Sequence, residues 1–417
     1  MIMREMKDSG ISWVGEIPKE WSVWRNKYIF RITKDIVLPS QNYQLLSLTT
    51  TGIKEKDEND NGGKVPENYD GYQIVKENDL VMCLFDLDCS AVFSGLSPYN
   101  GMISPAYKVL KVKKRIANEQ YYRYWFNYVG SKRFYKQYSK SLRFTLNADE
   151  FNRLFSLLPP LDEQQRIAEF LDRECGKIDG LKADIQAQID TLEQYKRSVI
   201  TEAVTHGLNP SAPMKDSGIP WVGQFPTHWT KKKGKYILRY MSKPVKQDDG
   251  VITCFRDGEV TLRSNRREDG FTMADKEIGY QGVDVGDLVV HGMDGFAGAI
   301  GISDSRGKAS PVLNVLNTKQ NKKYIMYYLR SMAYGEVFTA LSTGIRVRSC
   351  DLRWNKLAEL LYPLPPIDEQ NNIVNYIDEQ IARTNDIIAD KKSQIETLDG
   401  YKKSLIYEYV TGKKEVG

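Results

Sequence analysis

Histidine is scarce in this chain, with only His206, His228 and His291 among 417 residues. Cysteine is barely commoner: Cys83, Cys89, Cys175, Cys254 and Cys350 are odd in number and scattered. No Cys or His pair has zinc-ligand spacing, which argues against a structural metal site. The cysteines read as reduced thiols rather than a disulfide frame. No apolar run approaches the roughly 18 residues of a membrane span, and the opening MIMREMKDSG has no apolar signal region. A cytoplasmic protein without membrane contact is expected.

Catalytic signatures are missing as well. There is no G-x-G-x-x-G, H-E-x-x-H or G-x-S-x-G. Gly295 to Gly301 is glycine-rich at the wrong spacing for a dinucleotide loop. The stretch from Gly301 to Ala309 has one residue too many for a phosphate-binding loop, and Ala309 stands where a magnesium-binding hydroxyl is needed. Asn209-Pro210-Ser211 fails the tetrapeptide of amino-methyltransferases. Asp86 and Asp88 read as a solvated turn. No metal or catalytic residue is assigned.

What the chain does have is segregated charge. The net of +5 conceals basic segments. Lys108 to Arg143 holds eleven Lys/Arg against one acid, Lys231 to Arg267 eleven against four, and Lys319 to Lys356 eight against two. Asp162 to Val204 and Asp368 to Gly417 are net acidic. Cations concentrated in some segments and interleaved with aromatics, such as Tyr107, Tyr124, Phe134 and Phe144, suggest a polyanion partner. Spacing such as Tyr121, Trp125, Tyr128 is that of a buried helix face, so part of this aromatic set is core.

The chain also repeats itself. Met6 to Phe30 and Met214 to Leu238 match at 14 of 25 positions without gaps. LPPLDEQ at Leu158 and LPPIDEQ at Leu364 each open a long helical stretch, and 21 of the 48 positions from there are identical. A duplicated unit predicts two copies of one kind of site. Between the repeats lie short β-type runs (Tyr43 to Thr49, Asp79 to Phe85, Ala106 to Val112; Val251 to Phe255, Gly286 to Val290, Val312 to Leu316). Helices are expected over about Asn118 to Tyr138 and Lys322 to Leu341.

The helical stretch after Pro160 is expected to start with Asp162 as its cap. Apolar residues recur at Leu171, Ile178, Ile185, Leu192 and Val199, with Ile167, Leu181 and Tyr195 at the partner position. Gly176 and Gly180 weaken its first third. Its copy carries Ile373, Ile377, Ile381, Ile388, Ile395, Leu398 and Leu405. A helix of that length would run roughly 66 Å and cannot bury its stripe alone, so the two copies are expected to pair antiparallel. The expected fold is α/β (α+β): two similar mixed α/β domains at 1–160 and 207–364. Two long coiled-coil-like helices at 161–206 and 365–417 separate them in a pseudo-two-fold arrangement.

The motif DSGI-x-WVG-x-x-P-x-x-W, at Asp8 to Trp21 and Asp216 to Trp229, resembles the one that opens each half of type I restriction-modification specificity (S) subunits. So do LPP-[LI]-DEQ and the long helix ending near VTHG or VTGK. The resemblance spans nearly the whole chain. It implies two target recognition domains reading the halves of a bipartite double-stranded DNA target. It implies partners too: modification subunits with S-adenosylmethionine and the methyl-transfer site, and restriction subunits with ATP- and Mg-dependent translocation and cleavage. This chain would hold no cofactor.

Specificity needs side chains on base edges, and affinity needs cations on phosphates. Candidate DNA-binding residues lie in loops matched between the halves. They are Lys132, Arg133, Lys136, Lys140, Ser141 and Arg143 in the first, and Arg256, Ser342, Thr343, Gly344, Arg346 and Arg348 in the second. Loop 291–298 and its counterpart 83–88 are weaker candidates. Divergence between the cores implies two different half-sites. The rival reading is a paired-helix adaptor that binds only proteins.

Overall fold

The computed structural model describes residues 4–37, 43–56, 69, 71–266, 278–341 and 352–416. Two compact units emerge: Met1–Ile185 with Ser393–Gly417, and Gln186–Lys392.

In unit 1, β1 (Phe30–Thr33), β2 (Leu80–Met82), β3 (Ser94–Leu96) and β4 (Lys108–Val112) form an antiparallel sheet in the order β1-β4-β2-β3. The helix α1 (Glu119–Ser131) follows, then the long helix α2 (Leu161–His206). In unit 2, β5 (Leu238–Tyr240), β6 (Leu288–His291), β7 (Ile300–Ile302) and β8 (Leu313–Thr318) repeat the plan in the order β5-β8-β6-β7. The helix α3 (Lys322–Tyr334) and the second long helix α4 (Ile367–Val410) complete it. Two-stranded ribbons also match: Ser22–Arg25 pairs with Phe155–Leu158, and Thr230–Lys233 with Leu361–Leu364. The expected strands are all present; most are shorter than their apolar runs, while Leu313–Thr318 extends past the expected end at Leu316.

The cores rest on aromatics at helical spacing. Tyr121, Tyr122, Trp125 and Phe126 of α1 are fully buried, as are Tyr324 and Tyr328 of α3. Asn118 caps α1 through Tyr121 N, and Asn321 caps α3 through Lys323 N and Tyr324 N. Burying each such ring contributes about 1.5–3 kcal/mol. Within unit 1 the core includes Ile167 and Leu171 of α2 with Leu405, Ile406 and Val410 of α4. Within unit 2 it includes Ile200, Ala203 and Val204 of α2 with Ile373 and Ile377 of α4.

The repeated motifs turn out to be joints. Ser9 Oγ accepts from Ile11 N at 3.1 Å and Ser217 Oγ from Ile219 N at 3.0 Å, closing the same turn twice. Trp21 donates its indole N–H to Glu163 at 2.8 Å, and Trp229 to Glu369 at 3.0 Å. Gln164 Oε1 accepts from Asn118 N at 2.8 Å, while its Nε2 donates to Pro159 O at 2.8 Å and Ile116 O at 2.9 Å. Gln370 accepts from Asn321 N at 3.0 Å and donates to Pro365 O at 2.9 Å. D-E-Q therefore ties the start of each long helix to the opening motif and to the cap of the preceding helix.

Three expectations need correction. The predicted helices Asn118 to Tyr138 and Lys322 to Leu341 each break. Arg133 (φ 53°) and Glu336 (φ 55°) are left-handed, and short helical turns, Phe134–Tyr138 and Val337–Ala340, follow. The break folds Tyr135 and Phe338 into the core, where each is 1% exposed; a straight helix could not do this. Next, α2 begins at Leu161, so Asp162 lies in the first turn, where its charge favours the helix N-terminus, and is not the cap. The helix then continues unbroken through Gly176 and Gly180.

The last correction concerns the seam. Leu181 and Tyr195 are 53% and 48% exposed. The second row lies four residues on, not three: Cys175, Lys182, Ile189, Lys196 and Ala203, each buried or half-buried. Lys182 meets Asp399, and Lys196 reaches Asn385 at 2.8 Å. Their aliphatic stems serve the seam while their charged ends leave it. Lys402 bonds Asp179 at 2.7 Å, which with Lys182–Asp399 makes the helices antiparallel within unit 1; Lys391–Gln188 with Lys196–Asn385 does the same within unit 2.

Replacing Gln164 by Ala strands a buried amide and two carbonyls. The expected loss is about 1–3 kcal/mol, read by urea unfolding, with the same for Gln370→Ala. Lys177→Ala, on the exposed face, is expected to change stability by less than about 0.5 kcal/mol.

Candidate nucleic-acid interface

Unit 1 gathers the first set of candidates on one surface. The turn after α1 presents Lys132, Arg133 and Lys136, all exposed. With Phe134, Gln137, Ser139 and Phe144 these three line an open hollow of about 450 Å³. Trp13 stacks on Phe134 with ring centres 4.2 Å apart and donates to Tyr138 OH at 3.2 Å, which fixes the turn on the core. The adjoining loop holds Lys140, Ser141 and Arg143, also exposed. Ser141 Oγ accepts from Thr145 N at 2.7 Å, and Ser139 Oγ donates to Thr145 O at 2.9 Å. These bonds tighten the loop and leave Leu142 fully exposed.

The two pieces touch: Lys136 Nζ lies 4.5 Å from the centre of the Phe144 ring. The weaker candidate loop 83–88 joins them, with Asp86 N donating to Arg143 O and Leu87 N to Phe144 O, each at 3.2 Å. Asp86 (φ 50°), Arg133 and Phe144 (φ 45°) are three of the five non-glycine residues with positive φ among those described. Such backbone costs energy and clusters where a surface is held in shape. No carboxylate among the described residues ion-pairs with Lys132, Arg133, Lys136, Lys140 or Arg143. Five cations without an ion-pair partner among the described residues suit phosphate contact.

Unit 2 is built differently. Arg256 sits in the turn between the strands Ile252–Cys254 and Val260–Leu262, and it bonds Asp294 at 3.0 Å. Loop 291–298 packs against this turn, because a Cβ on Gly298 (φ 96°) would lie 2.7 Å from Arg256 O. Arg256, Arg263, Arg266, His291 and Asp294 line a cleft of about 690 Å³. On its other side Arg256 joins Lys196, Arg197 and Arg330 around a second cleft of about 820 Å³. Arg266 pairs with Asp257 at 2.6 Å and Glu259 at 3.0 Å, holding the Asp257 carboxyl below its ordinary range. Arg330 donates to Asp257 O, and Arg197 lies 5.3 Å from the Tyr334 ring centre. A paired guanidinium still has donors to spare.

Ser342, Thr343, Gly344, Arg346 and Arg348 lie outside the described residues. The sequence reading passed over Arg263, Arg266, Arg330 and Arg197. The first two fall in a segment whose charge flagged it as a whole. Arg330 and Arg197 lie on helices, where spacing alone marks no difference between a solvated arginine and one lining a cleft. No group of three or more His, Cys, Asp or Glu that could hold a metal exists among the described residues, and none of their helices is long and apolar enough to cross a membrane.

No family model matches the chain. It is 23% identical, over 97% of its length and 96% of the other's, to a Methanocaldococcus jannaschii protein assigned by name as the specificity subunit of the type I restriction enzyme MjaX. Among solved structures, a chain from work on complex assembly and conformational transition of the type I R-M system shares its fold. The TM-score is 0.67, with 12% identity, across 95% of this chain and 99% of that one. The HsdS subunit of Thermoanaerobacter tengcongensis matches at a TM-score of 0.50 and 13% identity, across 95% and 98%. The resemblance carried by the repeated motifs therefore holds along the chain.

Burial holds the His291 imidazole below the usual histidine range, with Arg256 reinforcing the shift and Asp294 opposing it. The unfolded chain takes up a proton there that the folded chain refuses. The contribution of neutral His291 to stability is thus present above the ordinary histidine range and fades as pH falls through the lowered value. His291→Asn keeps an acceptor for Met293 N and Asp294 N but cannot titrate. Its unfolding free energy is expected to fall less steeply than the parent's on acidification below about pH 6.5.

Proposed function

We propose that this chain is the specificity subunit of a type I restriction-modification complex, reading an asymmetric bipartite DNA target. One observation carries the reading: the two units share a sheet order and a D-E-Q joint, yet expose different basic surfaces. A common frame with unlike reading faces is what two unlike half-sites require. Residues 1–160 and 207–364 act as target recognition domains, and the helices 161–206 and 365–417 fix the spacer. Lys132, Arg133, Lys136, Lys140, Ser141 and Arg143 serve one half-site; Arg256, Ser342, Thr343, Gly344, Arg346 and Arg348 serve the other. Arginine to guanine supplies the strongest base discrimination, and the lysines hold phosphates.

The chain itself performs no chemistry and carries no cofactor. Modification subunits bring S-adenosylmethionine, and restriction subunits bring ATP and Mg. The setting is the cytoplasm, where host DNA is accessible.

Methylome sequencing of cells with and without this chain tests the reading. A methylated motif with two different halves and a fixed gap is expected to vanish with the chain; a palindrome, or no change, overturns it. Inserting one helical turn between Ile185 and Leu192 is expected to alter the gap and leave both halves unchanged. If the gap stays at the parent value, the helices do not set it.

A further inference from the structure

Duplication gives an internal control on the opening segment. Most residues shared by Met6–Phe30 and Met214–Leu238 have a structural duty. Ile11, Val14, Pro18 and Trp21, like Ile219, Val222, Pro226 and Trp229, are buried. Asp8 and Asp216 accept from Gly10 N and Gly218 N, and those glycines have φ of 71° and 60°. Lys215, shared with Lys7, spends its ammonium on Thr227 O at 2.6 Å.

Lys27–Tyr28 and Lys235–Tyr236 are different. Tyr28 is 51% exposed and Tyr236 72%. Neither hydroxyl bonds to anything among the described residues, yet both copies keep one geometry. Lys27 Nζ lies 4.8 Å from the Tyr28 ring centre, and Lys235 Nζ 5.5 Å from that of Tyr236. Both pairs stand on basic ground. Arg25, Arg31 and Lys34 flank the first; Lys231, Lys232, Lys233 and Arg239 flank the second; no acid intervenes in either stretch. Glu359 does meet Lys233 at 2.7 Å and Lys235 at 2.8 Å, so the second ground is partly neutralised. Beside the first pair, Trp24 meets Tyr28 edge-on and is 41% exposed.

We infer that Lys27–Tyr28 and Lys235–Tyr236 are sequence-independent contacts to the phosphodiester backbone of duplex DNA, one in each recognition domain. The inference rests on the proposed DNA-reading function. A surface that reads bases must differ between domains that read different bases. A surface kept the same in both, whose tyrosine hydroxyls serve no bond within the described fold and whose only ion pair is Lys235 with Glu359, meets something that is the same at both half-sites. The basic setting selects a polyanion, and the duplex backbone is one polymer throughout. Ammonium and phenolic hydroxyl both donate to phosphate oxygens, and the ring beneath the ammonium orients it.

The test is salt dependence of binding by the full chain to a long mixed-sequence duplex. Lys27→Ala and Lys235→Ala are each expected to weaken binding by a similar factor on every sequence. Each flattens the slope of log affinity against log salt by about 0.9, and the double variant by about twice that. Lys27→Arg keeps the parent slope, melting temperatures stay at the parent value, and the methylated motif is unaltered. A double variant with the parent slope overturns the inference. If that variant instead loses co-purification with the methyltransferase subunits, the pairs form a protein-docking face, and the inference is likewise overturned. Should the unaltered chain show no salt-dependent binding to duplex at all, it is the proposed function that fails.

Discussion

A carboxylate that accepts an indole N–H, buried in the first half and half-buried in the second, organises each half of this protein. Glu163 is 6% exposed and takes bonds from Trp21 and from Arg4 at 2.6 and 2.8 Å. Glu369 takes them from Trp229 and His228. A carboxylate drawn out of water must be met by donors, and here the indole donor comes from the opening motif of the same unit, joined in the first half by Arg4 just ahead of it. That requirement fixes where each long helix starts relative to the sheet. The adjacent glutamine extends the constraint to the cap of the aromatic-rich helix, so the position of the basic turn following α1 descends from one ion and its partners.

The two units use this frame in contrasting ways. In unit 1 the cations of the loop surface make no ion pair among the described residues, and backbone with positive φ shapes the loops that carry them. In unit 2 arginines are clamped by Asp257, Glu259 and Asp294 around deeper clefts. The first arrangement favours loose electrostatic attraction. The second orders the guanidinium forks before any ligand arrives, lowering the entropy lost on binding.

Much of the fold was legible because its signals are periodic. The strands, the aromatic stripe Tyr121–Trp125–Tyr128 and the long helices all announce themselves by spacing. The second seam row did not, because Lys182 and Lys196 occupy it and lysine reads as solvent-facing until its stem is seen to pack. The left-handed break at Arg133 falls on an arginine, where tertiary demand for Tyr135 in the core overrides local preference; the one at Glu336 follows Gly335, a stop signal present in the sequence. Of the candidate site, the cluster around Lys132 to Arg143 was recoverable from charge density and its place in the repeat. Arg330 and Arg197 were not, since a cleft between a helix and a turn is made by topology rather than by neighbours in sequence.

The closed hydrogen-bond joint has an evolutionary corollary. Its donors and acceptors all lie within a single unit, and the loop from Ser139 to Thr145 bonds chiefly to itself. Substitutions at Lys140, Leu142 or Arg143 leave that joint untouched, whereas changes at Trp21, Glu163 or Gln164 dismantle it. The exposed loop can therefore vary at little thermodynamic risk to the frame that carries it.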